Sequence, residues 1–328
     1  MKLRHGLLVT LVALASAGAA CKQARDPAPS PALMPPPPAP AGDPWQGAAH
    51  DKDPLPRPFL WTAEKDGVTT YLLGTMHVGI DPEARLPPIV WDRLEASAAF
   101  AMETDITDPA IQNIGGRTSG TLRDELGPEY WKKLEAALTP QIAQALVNKS
   151  AMIPATLLAL RGLPPTPPMD GILLARAMNR GKKIAYLEPA AHQAAMLEKH
   201  MNTKALRLML DELAETEQQT KQLLGAYIAG DEARFVAITD EQRKDALAHG
   251  YTAAEYDESM EDLLYRRNAS WIAPIEKLHA AGGVFVAVGA MHLIGTRSVL
   301  ELLGARGFRI TRVTPPAPPA APPAAPTR

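Results

Sequence analysis

Val284-Phe285-Val286-Ala287-Val288-Gly289-Ala290-Met291-His292 is the stretch on which the fold turns. Five apolar residues in a row, without polar alternation, predict a strand covered on both faces, as in a parallel α/β sheet. The run stops at Gly289, and a histidine follows three residues later. The same ending occurs near the start of the chain, where Thr69-Thr70-Tyr71-Leu72-Leu73 leads into Gly74-Thr75-Met76-His77. Two further short apolar runs end in glutamate: Ala99-Phe100-Ala101-Met102 before Glu103, and Lys183-Ile184-Ala185-Tyr186-Leu187 before Glu188. The order is His then Glu in the first half and Glu then His in the second. The expected fold class is therefore α/β, with a central sheet built from two β-containing halves and paired Gly-x-x-His strand ends.

Outward from these runs, Asp66-Gly67 separates Phe59-Leu60-Trp61 from the Thr69 run and marks a hairpin turn. A helix is expected over Pro88–Ala98. From Pro128 to about Ala281 helical patterning dominates, interrupted by the Lys183–Leu187 strand, so a large helical insertion between the halves is expected. Leu134, Leu138, Ile142 and Leu146 recur every four residues, as do Leu206, Leu210 and Leu213 at three or four. The second set belongs to a long expected helix, 203–229, whose Glu212, Glu215 and Glu217 read as a solvated face. A helix from Ser298 to Leu303 and a strand from Phe308 to Val313 close the domain.

The flanks differ in kind. The chain has 328 residues, 34 Lys+Arg against 36 Asp+Glu, and a net charge of −2. That balance lacks the basic footprint of a nucleic-acid binder, so no nucleic-acid partner is expected. Of 32 prolines, 12 fall between Pro27 and Pro58 and 7 between Pro315 and Pro326. Residues 59–313 form the expected folded domain, large enough for a substantial core. Lys2, Arg4 and the apolar run from Gly6 to Ala20 have the basic start, apolar middle and small-residue end of a secretory signal. That run is shorter than the roughly 20 residues a membrane span needs. Residues 1–20 are thus expected to be a signal peptide. Cys21 is the only cysteine, so no disulfide can form within the chain.

Ala19-Ala20-Cys21 resembles the cleavage site of a bacterial lipoprotein, with Cys21 as the lipidated residue; a plain secretory signal is the alternative. Residues 21–58 are then a lipidated cysteine and a Pro-rich tether, and residues 314–328 a Pro/Ala-rich disordered tail. Either way export is expected. The lipoprotein form implies a membrane anchor through the lipid, with Lys22 favouring the outer membrane, and the plain signal implies release to the periplasm.

Four strand ends can aim side chains at one point, because fixed backbone geometry at a sheet's edge is where α/β proteins place ligand sites. His77, Glu103, Glu188 and His292 are the candidates. Two neutral imidazoles with one or two carboxylates suit a divalent metal. No Gly-rich phosphate loop, His-Glu-x-x-His helix or Gly-x-Ser-x-Gly elbow is present, which disfavours nucleotide enzymes, ordinary zincins and α/β-hydrolases. His5, His50, His192, His200, His249 and His279 read as non-ligands, and Met196 and Met209 as core packing.

Tyr71-Leu72-Leu73-Gly74-Thr75-Met76-His77, Glu103-Thr104-Asp105, Gly181-Lys182-Lys183 leading to Glu188 and Gln193, Arg267-Asn268, and Val286 through Gly295 together resemble the TraB/GumN/PrgY family. That family is similar to the Tiki metalloproteases and, more distantly, to erythromycin esterases and haem-binding lipoproteins. The resemblance implies that His77, Glu103 and His292 form the core of a metal site, with Glu188 the fourth candidate. It implies hydrolysis aided by a divalent ion (zinc, manganese or cobalt), with Glu103 or Glu188 as base. Arg267 would hold a substrate carboxylate or stabilise an oxyanion. Asp105 and Asn268 would orient an imidazole. The substrate would be a peptide or protein of the cell envelope. The alternative is a non-catalytic lipoprotein that binds haem, a metal or a peptide.

Overall fold

The computed structural model describes residues 53–315, with Asn113 excepted. The expected signal, Cys21, most of the Pro-rich tether and the tail beyond residue 315 lie outside the described residues. Six strands form one mixed sheet: β1 (Leu60–Lys65), β2 (Val68–Thr75), β3 (Ala99–Met102), β4 (Lys183–Tyr186), β5 (Val284–Gly289) and β6 (Arg309–Arg312). Their order across the sheet is β4-β3-β5-β2-β1-β6. The fold is mixed α/β. Four neighbouring strands, β4, β3, β5 and β2, run parallel, while β1 is antiparallel to both β2 and β6.

β5 lies between β2 and β3, with Gly74 opposite Val288 and Met102 opposite Ala287. Every residue of β5 is buried. Its continuous apolar run is therefore what its position demands, since neither face meets water. Phe285 stacks near Phe100 of β3, with ring centroids 6.3 Å apart. β1 and β2 join through Asp66 (φ 51°) and Gly67 (φ 76°), a two-residue turn with both central residues left-handed, which suits the twist of the strands.

Helices fill both the β3–β4 and the β4–β5 connections, so the helical residues are divided by β4. They carry a second core of their own around Leu122, Trp131, Leu134, Leu158, Leu206 and Leu263. Two expectations for this region need correction. The four-residue period of Leu134 to Leu146 spans two helices, Leu122–Leu138 and Pro140–Ala145, and Ile142 is 43% exposed. Pro140 disfavours the helical conformation at Thr139, which sits at φ 90° and ψ 150°. The expected helix 203–229 is likewise two, Thr203–Asp211 and Leu213–Ala229, meeting at Glu212 (φ −115°, ψ 37°). The break has a packing reason. Leu206, Met209 and Leu210 face the helical core, whereas Leu223, Leu224 and Tyr227 face the sheet core.

Candidate functional site

The parallel register brings the four candidate strand ends to one edge. Glu188 follows β4, Glu103 follows β3, His292 ends the short 3-10 turn Ala290–His292 after β5, and His77 follows β2. All four side chains are buried. Gly74 lets the β2 and β5 endings approach each other: a Cβ there would lie 3.0 Å from the Ala290 Cα and 3.2 Å from the Phe59 Cβ.

Glu103 is held at both oxygens. Its Oε1 accepts from the Gly289 backbone N–H at 2.8 Å, and its Oε2 accepts from Gln193 Nε2 at 2.8 Å and from Arg267 at 2.6 Å. Arg267 is the hub. It lies at the start of the helix Arg266–Ala280, just after a π-helical turn, Glu261–Tyr265. Such turns widen the helix and recur at functional sites. Here the Leu263 carbonyl of that turn accepts a hydrogen bond from Arg267 at 2.9 Å. The other four guanidinium bonds reach Glu188 Oε1 twice (2.9 and 2.5 Å), Glu103 Oε2 (2.6 Å) and His292 Nε2 (3.2 Å). All five N–H donors of the side chain are thereby engaged. Trp271, one turn further along, lies 4.9 Å beneath the guanidinium and 4.4 Å from the His292 ring.

The two histidines are oriented alike. Asn268 Nδ2 donates to the Arg297 carbonyl at 2.9 Å, so its Oδ1 faces His292 Nδ1, 2.6 Å away, as an acceptor. His292 therefore carries its proton on Nδ1, and its Nε2 lone pair faces the cluster. His77 Nδ1 is hydrogen-bonded to Asp170 Oδ2, while its Nε2 is buried with no hydrogen-bond partner.

The sequence profile of the TraB/PrgY/gumN family matches residues 59–312. The chain belongs to the TraB/PrgY/gumN family. It is 25% identical over 243 residues to the uncharacterized protein YbaP of Shigella flexneri, covering 71% of this chain and 87% of that protein. The uncharacterized protein YbaP of Escherichia coli (strain K12) matches at 25% over 242 residues with the same coverage. No solved structure matches the chain.

In this TraB/PrgY/gumN domain the expected residues do not all converge. Asn268 meets His292, but Asp105 is half-buried and caps a turn through Thr107, its Oδ1 accepting from the Thr107 N–H at 2.9 Å. Asp170 went unnoticed in the sequence. It sits in the first turn of the helix Met169–Asn179, after a proline-rich loop, and its Oδ1 also accepts from Thr75 Oγ1 at 3.0 Å. An acid there reads as an ordinary helix start; only the fold brings it beside His77. His192, expected to be uninvolved, has a largely exposed side chain and its Nδ1 lies 3.3 Å from Glu188 Oε2.

The electrostatics separate the two glutamates. Burial works against the Glu103 carboxylate, but the charges of Arg267, His292 and His77 and the Gly289 N–H outweigh it, lowering its pKa to about 2. Burial dominates at Glu188 despite Arg267, and its pKa is raised. Burial likewise lowers His292 to about 3, which agrees with its hydrogen-bonded neutral tautomer. At His77 burial is outweighed by Asp170, through charge and hydrogen bond, with help from Glu103, and the pKa is raised.

The donor set fits a divalent cation in kind: each imidazole has Nδ1 committed to an oxygen acceptor, and the Nε2 of His77 is buried with no hydrogen-bond partner. The three carboxylates outnumber the one guanidinium, an excess of negative charge that a divalent ion would balance once it displaces the proton favoured at His77. Among the described residues, however, no three His, Cys, Asp or Glu side chains stand close enough together to hold one as arranged. His292 Nε2 and Glu103 Oε1 are 3.7 Å apart, and Arg267 lies against both residues.

Proposed function

We propose that this protein is a metal-dependent hydrolase acting on a peptide or protein of the cell envelope, a reading that extends to kinship with the Tiki metalloproteases. The observation that carries it is the pair of buried imidazoles, each held at Nδ1, beyond the ends of neighbouring strands and beside buried carboxylates. His77, His292 and Glu103 would hold the ion. Once bound, it would supply a Lewis acid that draws a water's pKa towards neutrality and polarises the scissile carbonyl.

Glu188 is the better base of the two glutamates. Burial raises its pKa, which makes it the stronger base, and its Oε2 faces His192 rather than Arg267. Glu188 Oε2 takes a proton from the attacking water and delivers it to the leaving group. Glu103, fixed at both oxygens and ionised, serves as an anchored anion. Arg267 orients the two carboxylates. The same proposal includes export and a lipid anchor at Cys21.

The test is the metal content of the full chain purified without chelators, beside His77→Ala and His292→Ala. Near-stoichiometric zinc, manganese or cobalt, lost in both folded variants, is the expected result. Glu188→Gln should keep the metal and lose peptide hydrolysis. Wild type that stays metal-free after each ion is added back overturns the reading. A histidine-ligated haem band on reconstitution, without hydrolysis, would identify a binder instead.

A further inference from the structure

We infer that Arg267 sets the cation affinity of this cluster, because its guanidinium acts as an internal cation on the very atoms that a divalent ion would need. The inference rests on the metal-dependent reading above. Three observations carry it. The Arg267 side chain is 1% exposed and its five N–H groups all have acceptors, so it is a built component of the cluster and not a passing surface contact. It donates to the Nε2 lone pair of His292, the one ring nitrogen left after Asn268 has taken Nδ1. It also bonds Glu103 Oε2 and Glu188 Oε1.

A lone pair that accepts an N–H cannot at the same time ligate a metal. His292 therefore ligates only after its bond to Arg267 is given up, whereas His77 Nε2 has no hydrogen-bond partner to displace. The electrostatic argument has the same sign. Removing Arg267 adds one negative charge to a buried cluster that is already anionic, and charges attract more strongly where water is excluded. Both effects make the arginine an antagonist of cation binding. Leu263 and Trp271 brace the guanidinium from its own helix, which keeps it over the carboxylates.

The test is the affinity of the full chain for Co²⁺, measured by calorimetry and by the visible absorption of the bound ion, in wild type, Arg267→Met and Arg267→Lys. Arg267→Met should bind at least tenfold more tightly than wild type, with a stronger cobalt band. Arg267→Lys keeps the charge but not the planar fork, so its affinity should fall between the two. Adding His292→Ala to Arg267→Met should abolish the gain. A folded Arg267→Met that binds no more tightly than wild type overturns the inference while leaving the metal site standing. If Arg267→Met does not fold, wild-type affinity in folded Arg267→Lys overturns it. No binding of Co²⁺, Zn²⁺ or Mn²⁺ by wild type or by either variant sinks both the metal reading and this inference.

Discussion

Asp170 shows how much one buried side chain can carry. It is 3% exposed and accepts hydrogen bonds from both His77 and Thr75. Asp170→Ala leaves two buried donors without an acceptor, and we expect a loss of about 3 kcal/mol in denaturant titrations. Thr75→Val, which removes one donor and leaves Asp170 its His77 partner, should cost about 1 kcal/mol. His292, Glu103 and His77 set a pH dependence for the metal-free protein. His292 falls from 6.5 to about 3 on folding, and Glu103 from 4.5 to about 2. Both groups bind protons more weakly when folded, so the unfolded chain takes up protons first as the pH drops. Their contribution is complete above pH 6.5 and declines as the pH falls towards 3 and then 2. His77, with its raised pKa, acts in the opposite sense and contributes below pH 6.5. Denaturant midpoints between pH 7 and 3 should therefore fall with acid, and Glu103→Gln should flatten the part below pH 4.5. An unchanged profile in that variant would contradict the assignment.

At the level of elements, the site depends on how closely two strand endings pack. β2 and the turn after β5 meet where Gly74 faces Ala290. Gly74→Ala brings a methyl within 3.0 Å of backbone, which a strand held on both sides cannot easily relieve. We expect a cost of about 1–3 kcal/mol from overpacking, read as a lowered melting temperature. Gly74 and Gly289 have different tasks. Gly74 allows close approach, while Gly289 supplies the N–H that holds Glu103. The π-helical turn is the other decisive element. Asp262 within it is hydrogen-bonded to His200 and Lys199, tying the turn to the neighbouring helix Ala190–His200, whose Gln193 also reaches Glu103. One helix thus braces both Glu103 and the segment that presents Arg267.

Across the whole molecule, two cores share one load path. Trp271, Ile272 and Ile275 of the helix Arg266–Ala280 pack in the sheet core, while Leu263, just before it, packs in the helical core. The segment that presents Arg267 lies at this junction and is packed from both cores. Phe285→Ala in β5 removes a fully buried ring from the centre of the sheet and should cost about 3–5 kcal/mol in denaturant unfolding. A cost under about 1 kcal/mol would mean that the β5 environment is misassigned.

The sequence by itself determined where the strands lie, to within a few residues at their ends. A strand buried on both faces needs an unbroken apolar run, a tight hairpin needs residues such as Asp66-Gly67, and both signals are local. Glu103 and Glu188 were legible because each directly follows such a run, and His77 and His292 because each stands three residues beyond the glycine that ends one. The tertiary structure alone decided what those residues touch. Asp170 lies 93 positions from His77 and Arg267 lies 164 from Glu103, and no local pattern records a contact over such separations. The broken helices at Thr139 and Glu212 have a similar origin. Leucine spacing reports that a segment is helical, but not that Pro140 breaks it at Thr139, nor that the two ends of 203–229 must face different cores. Which side chains meet, and which lone pairs stay open, follows from how the elements pack.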